Sequence, residues 1–176
     1  MPVMRHIRPV ARRVPTFDTR RMREYRIVNA ADLAAAYARA EYAVQLEGDT
    51  MPLRVGEVAS DVEAYWPAAS YVFISAWNPA SEPRADQVNH DADLALVAQL
   101  DALGARRLPG FAQDSQGLWR EPGWLVGGLS QPVADLLARE FGQAALLAWD
   151  RGQAVRVRML LGPAPPQPVE FVDWVE

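Results

Sequence analysis

Hydrophobic and polar positions alternate along several stretches of the chain, and this pattern predicts a large share of β-structure. Residues 41–47 and 51–58 alternate on either side of a short Gly48-Asp49-Thr50 turn, which is typical of a β-hairpin. The continuous apolar run at residues 71–77 predicts a buried central strand, which has to end before Pro79 because proline cannot donate to a β-ladder. The other predicted strands are residues 106–111, 124–126, 144–149 and 155–161, the last two joined as a second hairpin.

Three predicted helices are marked by residues that favour helix ends. The first begins after a capping Asn29 and is rich in alanine. The second runs from Asp86 as N-cap to Gly104 as C-cap, and the third lies between Ser130 as N-cap and Gly142 as C-cap. A short helical connection is also expected at residues 61–65. The apolar stripe predicted for the second helix consists of Val88, Ala92, Leu96, Leu100 and Leu103.

The order of these elements predicts an α+β protein. We expect a single domain with a mixed, mostly antiparallel sheet and about three helices packed mainly on one face. Residues 1–28 are predicted to form a basic, largely irregular arm, and residues 29–161 the α+β domain. Residues 162–176 form a proline-rich extended segment and an apolar tail, which is expected to dock on the body or on a second subunit.

Composition excludes several kinds of chemistry. The chain has no cysteine, which rules out disulfides, a thiol nucleophile and every cysteine-based metal centre. All 18 basic residues are arginine, so neither a Schiff-base lysine nor a P-loop lysine is available. His6 and His90 are too few for a transition-metal site, and we predict no metal and no cofactor.

Charge is unevenly distributed along the chain. Residues 1–28 contain eight arginines and two acidic residues, a net charge of +6, so the remaining 148 residues carry −10 of the total of −4. A basic arm can contact nucleic acid, but the body offers no basic groove, and a leader or an arm folded on its own body is favoured. The chain has neither a membrane-length apolar stretch nor a signal-peptide core, so no membrane contact and a cytoplasmic location are predicted.

Polar side chains follow the predicted central strand, where α+β proteins tend to place ligand contacts. Asn78 and Ser81 lie in the loop after the strand, and Asn89 lies one turn into the next helix. Such residues commonly brace loops through the backbone, and they can also line a pocket for a polar ligand. Bracing is the favoured alternative, and ligand binding stays open.

A second set of polar residues lies farther along the chain. Trp119 and Glu121 end a polar, glycine-containing loop, and the tryptophan could desolvate the carboxyl enough to raise its pKa into the range of a general acid or base. The alternative is an ordinary exposed or N–H-capping carboxylate, which is favoured because no second catalytic group is evident. Gln143, just after the third helix, could satisfy a buried backbone group or contact a ligand amide.

Three motifs carry a family resemblance. FISAWNPAS with Asn89 downstream, GLWREPGWLVGGLS and LAREFGQAALLAWD occur in this order, and over residues 36–160 the chain resembles the DUF3293 family of bacterial proteins. The resemblance implies a compact bacterial cytosolic domain and no known reaction. The chain departs from the family pattern at Pro122-Gly123, since many relatives have a polar residue after the glutamate that corresponds to Glu121. By motif position it points to Asn78, Ser81, Asn89, Trp119, Glu121 and Gln143.

Two functions stay open at this point. In the first, the protein binds a polar or nucleotide-like small molecule at the loops after Trp77 and around Trp119–Glu121, with Glu121 as the only acid or base available for catalysis. In the second, it is a non-enzymatic interaction module whose basic arm and apolar tail recruit a partner or make a homodimer. Convergence of Glu121, Asn78 and Gln143 on one concave pocket would favour the first.

Overall fold

A computed structural model describes residues 30–175 of the chain, which form four helices and eight strands. The predicted arm at residues 1–28 and the predicted cap at Asn29 lie outside the described residues. The helices are α1 (Ala30–Arg39), α2 (Ser60–Tyr65), α3 (Asp86–Ala102) and α4 (Gln131–Glu140). The strands are β1 (Glu41–Leu46), β2 (Asp49–Leu53), β3 (Ser70–Ile74), β4 (Arg106–Gln113), β5 (Arg120–Gly127), β6 (Ala145–Asp150), β7 (Arg156–Met159) and β8 (Val172–Trp174).

All eight strands form one sheet in the order β2-β1-β4-β5-β3-β6-β7-β8. The strand pairs are antiparallel except β7 and β8, which run parallel. The sheet curls so far that Val55 and Val58, which follow β2, form isolated bridges with Val155 and Ala154 next to β7. The predicted fold class, α+β with a mixed and mostly antiparallel sheet, is confirmed.

The central strand β3 is buried on both faces, which explains its unbroken apolar sequence. Tyr71 and Phe73 belong to a core that contains residues of α1 and α2, and we call this side of the sheet the α1 face. Val72 and Ile74 belong to a second core with α3 and α4 on the opposite side. Two of the three longer helices therefore share one face, and α1 lies on the other.

Several strand boundaries differ from the prediction, such as that of β2, which ends at Leu53 and not at residue 58, and two of the differences concern the candidate site. β3 ends at Ile74 and not at Trp77, because the Trp77 N–H donates to the Ser75 side chain over 3.0 Å and no longer joins a ladder. β5 begins at Arg120, four residues before the predicted start. Pro122-Gly123 suggested a turn, yet this segment pairs with β4 along its whole length, and Glu121 lies in a strand and not in a loop.

The helix ends also need correction. Asp86 is the first residue of α3, and Ala85 is the N-cap without a side-chain hydrogen bond. Ser130 is the N-cap of α4, as predicted, but its side chain makes no capping hydrogen bond. The C-caps are Leu103 and Phe141, and the predicted Gly104 and Gly142 lie one residue later at positive φ (64° and 66°), the conformation that glycine adopts just after a C-cap.

The stripe predicted for α3 is only partly buried. Leu96 and Leu100 are fully buried, whereas Val88 and Leu103 are 49% and 52% exposed. The buried position in the first turn is taken by Asn89. A polar residue that is fully enclosed needs hydrogen-bond partners, and those of Asn89 belong to the candidate site.

The apolar C-terminal tail docks on the body of its own chain. β8 pairs with β7, and the Asp173 carboxylate accepts two hydrogen bonds of 2.8 Å from the Arg156 guanidinium. A homodimer formed through this tail stays a prediction. None of the helices in residues 30–175 has the length and apolar character that crossing a membrane requires.

Candidate functional site

The end of the central strand is flanked by two polar side chains because of the sheet register. β3 pairs antiparallel with both β5 and β6, and continuing these ladders brings Trp77 level with Glu121 on one side and Gln143 on the other. Two contacts agree with this arrangement. The Ser75 hydroxyl donates to the Pro122 carbonyl over 2.8 Å, and Gln143 Nε2 donates to the Trp77 carbonyl over 3.0 Å.

The Asn78 side chain links the loop after β3 to Glu121. Its Oδ1 accepts the Arg84 N–H over 2.9 Å and Asn89 Nδ2 over 2.8 Å. Since Oδ1 accepts both of these bonds, the amide nitrogen Nδ2 points the other way, and it donates to Glu121 Oε1 over 2.8 Å. The Arg84 N–H therefore fixes which end of the Asn78 amide is the oxygen and which is the nitrogen.

Asn89 braces this loop from behind. Its side chain is fully buried, and its Oδ1 accepts the Asn78 N–H over 2.9 Å. Its Nδ2 donates to Asn78 Oδ1 and, over 3.3 Å, to the Arg84 carbonyl. Every contact of Asn89 is with the loop, which is the bracing role that the sequence favoured.

The loop after β3 has an unusual backbone. Asn78, Ala80 and Ser81 all have positive φ, at 42°, 54° and 60°. Asparagine tolerates this conformation, whereas alanine and serine reach it at a cost of about 1–2 kcal/mol each. The Ser81 hydroxyl makes a hydrogen bond of 2.6 Å with the Tyr37 hydroxyl, which ties the turn to α1. Backbone strain of this kind concentrates at functional sites.

Glu121 is a half-buried carboxylate with two donors on one oxygen. Oε1 accepts Trp119 Nε1 over 2.6 Å in addition to Asn78 Nδ2. Burial raises the pKa of Glu121 above the ordinary value, and the hydrogen bonds from Asn78 and Trp119 oppose this shift because they favour the charged form. The balance leaves the pKa of Glu121 above the ordinary value.

A cavity of about 330 Å³ lies between α1 and the α1 face of the sheet, next to this carboxylate. Its volume is at the lower end of the range of about 300–1,000 Å³ for small-molecule sites. Among the predicted site residues, those that line it are Ser81, Trp119, Glu121 and Gln143. Asn78 and Asn89 do not line the cavity, and Asn78 contacts it only through Glu121.

Three aromatic residues of the cavity were not predicted. Tyr37 comes from α1, Tyr42 from β1 and Phe73 from β3. The Tyr42 hydroxyl donates to the Tyr37 carbonyl over 2.9 Å, and the Tyr42 ring meets the Phe73 ring edge to face with centroids 5.7 Å apart. Burial raises the pKa of both tyrosines, so both hydroxyls stay protonated.

One sequence signal could have revealed the floor of the cavity. Gly110 and Gly123 are directly opposite each other in β4 and β5, and a Cβ at either position would lie within 3.0 Å of the Phe73 ring. Glycine inside a strand often marks the close approach of another group. The paired glycines make room for the phenylalanine ring.

No metal site is apparent in the part of the chain that the structure describes. Residues 30–175 contain no group of three or more histidine, cysteine, aspartate or glutamate side chains placed to hold an ion. Asp93, on the same helix as His90, accepts the Trp124 indole N–H over 2.9 Å. The cavity offers aromatic side chains, polar atoms and the carboxyl groups of Glu121 and Asp114.

These features define a class: an α+β protein with a half-buried carboxylate in an aromatic-walled cavity at the end of the central strand. Residues 74–146 match DUF3293, a family described as a protein of unknown function. The resemblance that the motifs predicted is thereby confirmed over this segment, which contains Asn78, Ser81, Asn89, Trp119, Glu121 and Gln143. No curated protein and no solved structure matches the chain.

Proposed function

We propose that the protein binds a polar small molecule in the cavity beside Trp119 and Glu121. The observation that carries the proposal is convergence, since four residues from three separate segments line one cavity: Ser81, Trp119 with Glu121, and Gln143. A set of polar groups converging in an aromatic pocket is the usual form of a ligand site. The second function weighed from the sequence, recruitment through arm and tail, gains no comparable support because the tail forms β8.

The side chains of the cavity divide into two tasks. Trp119 is 40% exposed and lines the cavity, so its indole is partly available to contact a planar ligand. Glu121 and Gln143 supply polar contacts. Asn78 and Asn89 do not line the cavity. They hold the Glu121 carboxylate in place and therefore act as positioning residues.

Glu121 also supports acid–base chemistry on the bound molecule. A carboxyl whose pKa is raised by burial holds its proton at higher pH than an exposed glutamate and can donate it to a leaving group or accept one from a nucleophile. Hydrolytic and transferase reactions both use a group of this kind. We propose binding as the primary function and assign Glu121 as the acid or base of any reaction at this site.

The test is a search for small molecules that copurify with the full chain. Wild type and Trp119→Ala are purified in parallel, denatured, and analysed by mass spectrometry for released compounds. We expect a compound that wild type retains and the variant loses. Tyr65→Ala is the matched control, because Tyr65 is 57% exposed and does not line the cavity.

Two outcomes contradict the proposal. Wild type that retains no compound above the level of an unrelated protein leaves the cavity without a ligand. Equal retention by wild type, Trp119→Ala and Tyr65→Ala means that any copurified compound binds elsewhere.

A further inference from the structure

The nitrogen of the Gln143 amide makes a hydrogen bond within the protein, whereas its oxygen is left to accept one from a ligand. Gln143 is buried, and its Nε2 donates to the Trp77 carbonyl over 3.0 Å. A carbonyl can only accept, so this contact fixes which end of the amide is the nitrogen. No described residue donates to the opposite end, Oε1, which leaves Gln143 with an acceptor in the wall of the cavity.

Glu121 likewise has one oxygen to spare. Its Oε1 accepts both Trp119 Nε1 and Asn78 Nδ2, and among residues 30–175 no group donates to Oε2. An ionised carboxylate only accepts hydrogen bonds, and the protonated form offers a single donor. The two most specific polar groups of the cavity are therefore both acceptors.

Most hydroxyl groups around the cavity donate their proton to another group of the protein. The Ser75 hydroxyl donates to the Pro122 carbonyl, and the Tyr42 hydroxyl donates to the Tyr37 carbonyl. Tyr37 and Ser81 share one hydrogen bond of 2.6 Å, which uses one of their two protons. The Ser115 hydroxyl also lines the cavity and makes no hydrogen bond with a described residue, so two hydroxyl protons are left to donate to a ligand.

The charged side chains that line the cavity also favour a ligand that donates hydrogen bonds. Its lining contains the carboxylates of Glu121 and Asp114 and one cationic side chain, the exposed Arg39. Asp114 Oδ1 accepts the Leu118 N–H over 2.8 Å, so this carboxylate braces the loop before β5. A negative wall beside the face of Trp119 attracts cations and repels anions.

We infer that the ligand is a planar compound with at least two N–H donors, neutral or cationic, of the amidine, guanidine or aminopyrimidine type. Such a compound stacks on Trp119 and donates to Glu121 Oε2 and Gln143 Oε1. Ligands whose recognition depends on a phosphate or a carboxylate are disfavoured, because the cavity is lined by two carboxylates, Glu121 and Asp114, and by one guanidinium, Arg39. The inference rests on the proposed function and narrows it, since a nucleotide would enter by its base and not by its phosphates.

A pair of isosteric probes tests the inference. Benzamidine and benzoate have the same planar shape, and they carry an amidinium with four N–H donors or a carboxylate without donors. Each is titrated into the full chain while the ¹⁵N–¹H signal of the Trp119 indole is followed by NMR. We expect benzamidine to shift this signal with an affinity at least about tenfold higher than that of benzoate.

Charge removal sharpens the test. Glu121→Gln keeps the size of the side chain and removes its charge, so we expect weaker benzamidine binding and a smaller difference between the two probes. Glu57→Gln is the matched control, since Glu57 does not line this cavity and pairs with Arg54 at 3.7 Å on the surface. It should leave the ratio of the two affinities unchanged.

Two results overturn the inference, and they differ in what they say about the proposed function. Benzoate binding at the Trp119 indole as tightly as benzamidine, or more tightly, means that the cavity binds ligands but does not select donors. If neither probe moves the indole signal at millimolar concentration, the proposed function fails and the inference fails with it.

Discussion

Two glutamates in this protein each accept a hydrogen bond from a tryptophan indole, and their surroundings give them different roles. Glu63, in α2, accepts Trp149 Nε1 over 3.1 Å inside the core. Glu121, at the start of β5, accepts Trp119 Nε1 over 2.6 Å at the cavity. We call the first the core pair and the second the cavity pair.

The core pair has no oxygen to spare. Glu63 is buried, and both of its oxygens lie within hydrogen-bond distance of the Gly152 N–H, at 3.2 and 3.0 Å. The carboxylate thereby joins α2 to the turn between β6 and β7. A buried acid with a donor of its own protein near each oxygen stabilises the fold.

The cavity pair is built differently. Both donors to Glu121 fall on Oε1, and one of them comes from a loop with three non-glycine residues at positive φ. The protein holds Oε1, whereas Oε2 has no donor among the described residues. The carboxylate is therefore positioned to accept a hydrogen bond from a ligand. Each glutamate accepts two donors, so the difference between the pairs lies in how these donors are distributed over the two carboxylate oxygens.

The largest expected effect follows from breaking the core pair. Glu63→Ala leaves the Trp149 indole and the Gly152 N–H buried without an acceptor, and we expect a loss of roughly 3 kcal/mol of unfolding free energy. Glu121→Ala should lose about 1 kcal/mol or less, because its donors can reach water. Urea unfolding of both variants measures the difference. An equal or larger loss for Glu121→Ala would contradict the distinction between the pairs.

A second change perturbs the cavity floor and leaves the core pair intact. A Cβ at Gly123 would lie 2.6 Å from Phe73 Cζ, so Gly123→Ala should destabilise the protein by about 1–3 kcal/mol. The Trp119 indole NMR signal should move, while the Trp149 signal stays in place. At Gly127 the nearest atoms are 3.1 Å away, and Gly127→Ala is the control with a smaller expected loss. The same loss at both positions would show that Phe73 is not wedged against the glycines.

The strained loop gives a prediction of opposite sign. Ala80 has φ 54°, so Ala80→Gly relieves strain and should raise the unfolding free energy by about 0.5 kcal/mol after the entropy of the unfolded chain is counted. Ala95, exposed in the middle of α3, is the matched control, and Ala95→Gly should lower stability by about 1 kcal/mol. Thermal unfolding distinguishes the two signs. A loss of stability in Ala80→Gly would mean that the loop is not strained at this position.

The smallest effect is a change of stability with pH. Because the pKa of Glu121 is raised in the folded protein, the folded state keeps this proton over a pH range where the unfolded state has lost it. The contribution of Glu121 to stability therefore falls as the pH rises through that range. The stability of Glu121→Gln relative to wild type should increase between about pH 3 and pH 7. A constant difference, or one that decreases, would contradict the raised pKa.

Much of the fold could be predicted because short sequence patterns mark its strands and helix ends. The two hairpins and the glycines after α3 and α4 reflect contacts between residues close in sequence, and the apolar run of β3 reflects its burial on both faces. The strand boundary at Arg120 was missed because Pro122-Gly123 resembles a turn. Only the distant Phe73 ring explains why glycine lies inside that strand.

The candidate site could be predicted only in part, for a similar reason. Asn78 and Glu121 stand out because polar residues at strand ends are visible in sequence. Tyr37 and Tyr42 look like ordinary helix and strand residues, and only the packing of α1 on the sheet brings them to the cavity. The core role of Glu63 was also hidden, since its acceptors are filled by residues 86 and 89 positions away.

The central claim is that Glu121 is held at the cavity by the loop after β3 and by Trp119, with its charge only partly compensated. Titration of the Glu121 side-chain carboxyl by ¹³C NMR tests it most directly, in wild type, Asn78→Ala, Trp119→Phe and the control Ser81→Ala. We expect a pKa above the ordinary glutamate value in wild type, a further rise in the first two variants, and no change in the control. A wild-type pKa at or below the ordinary value, or one that neither variant moves, would contradict the account.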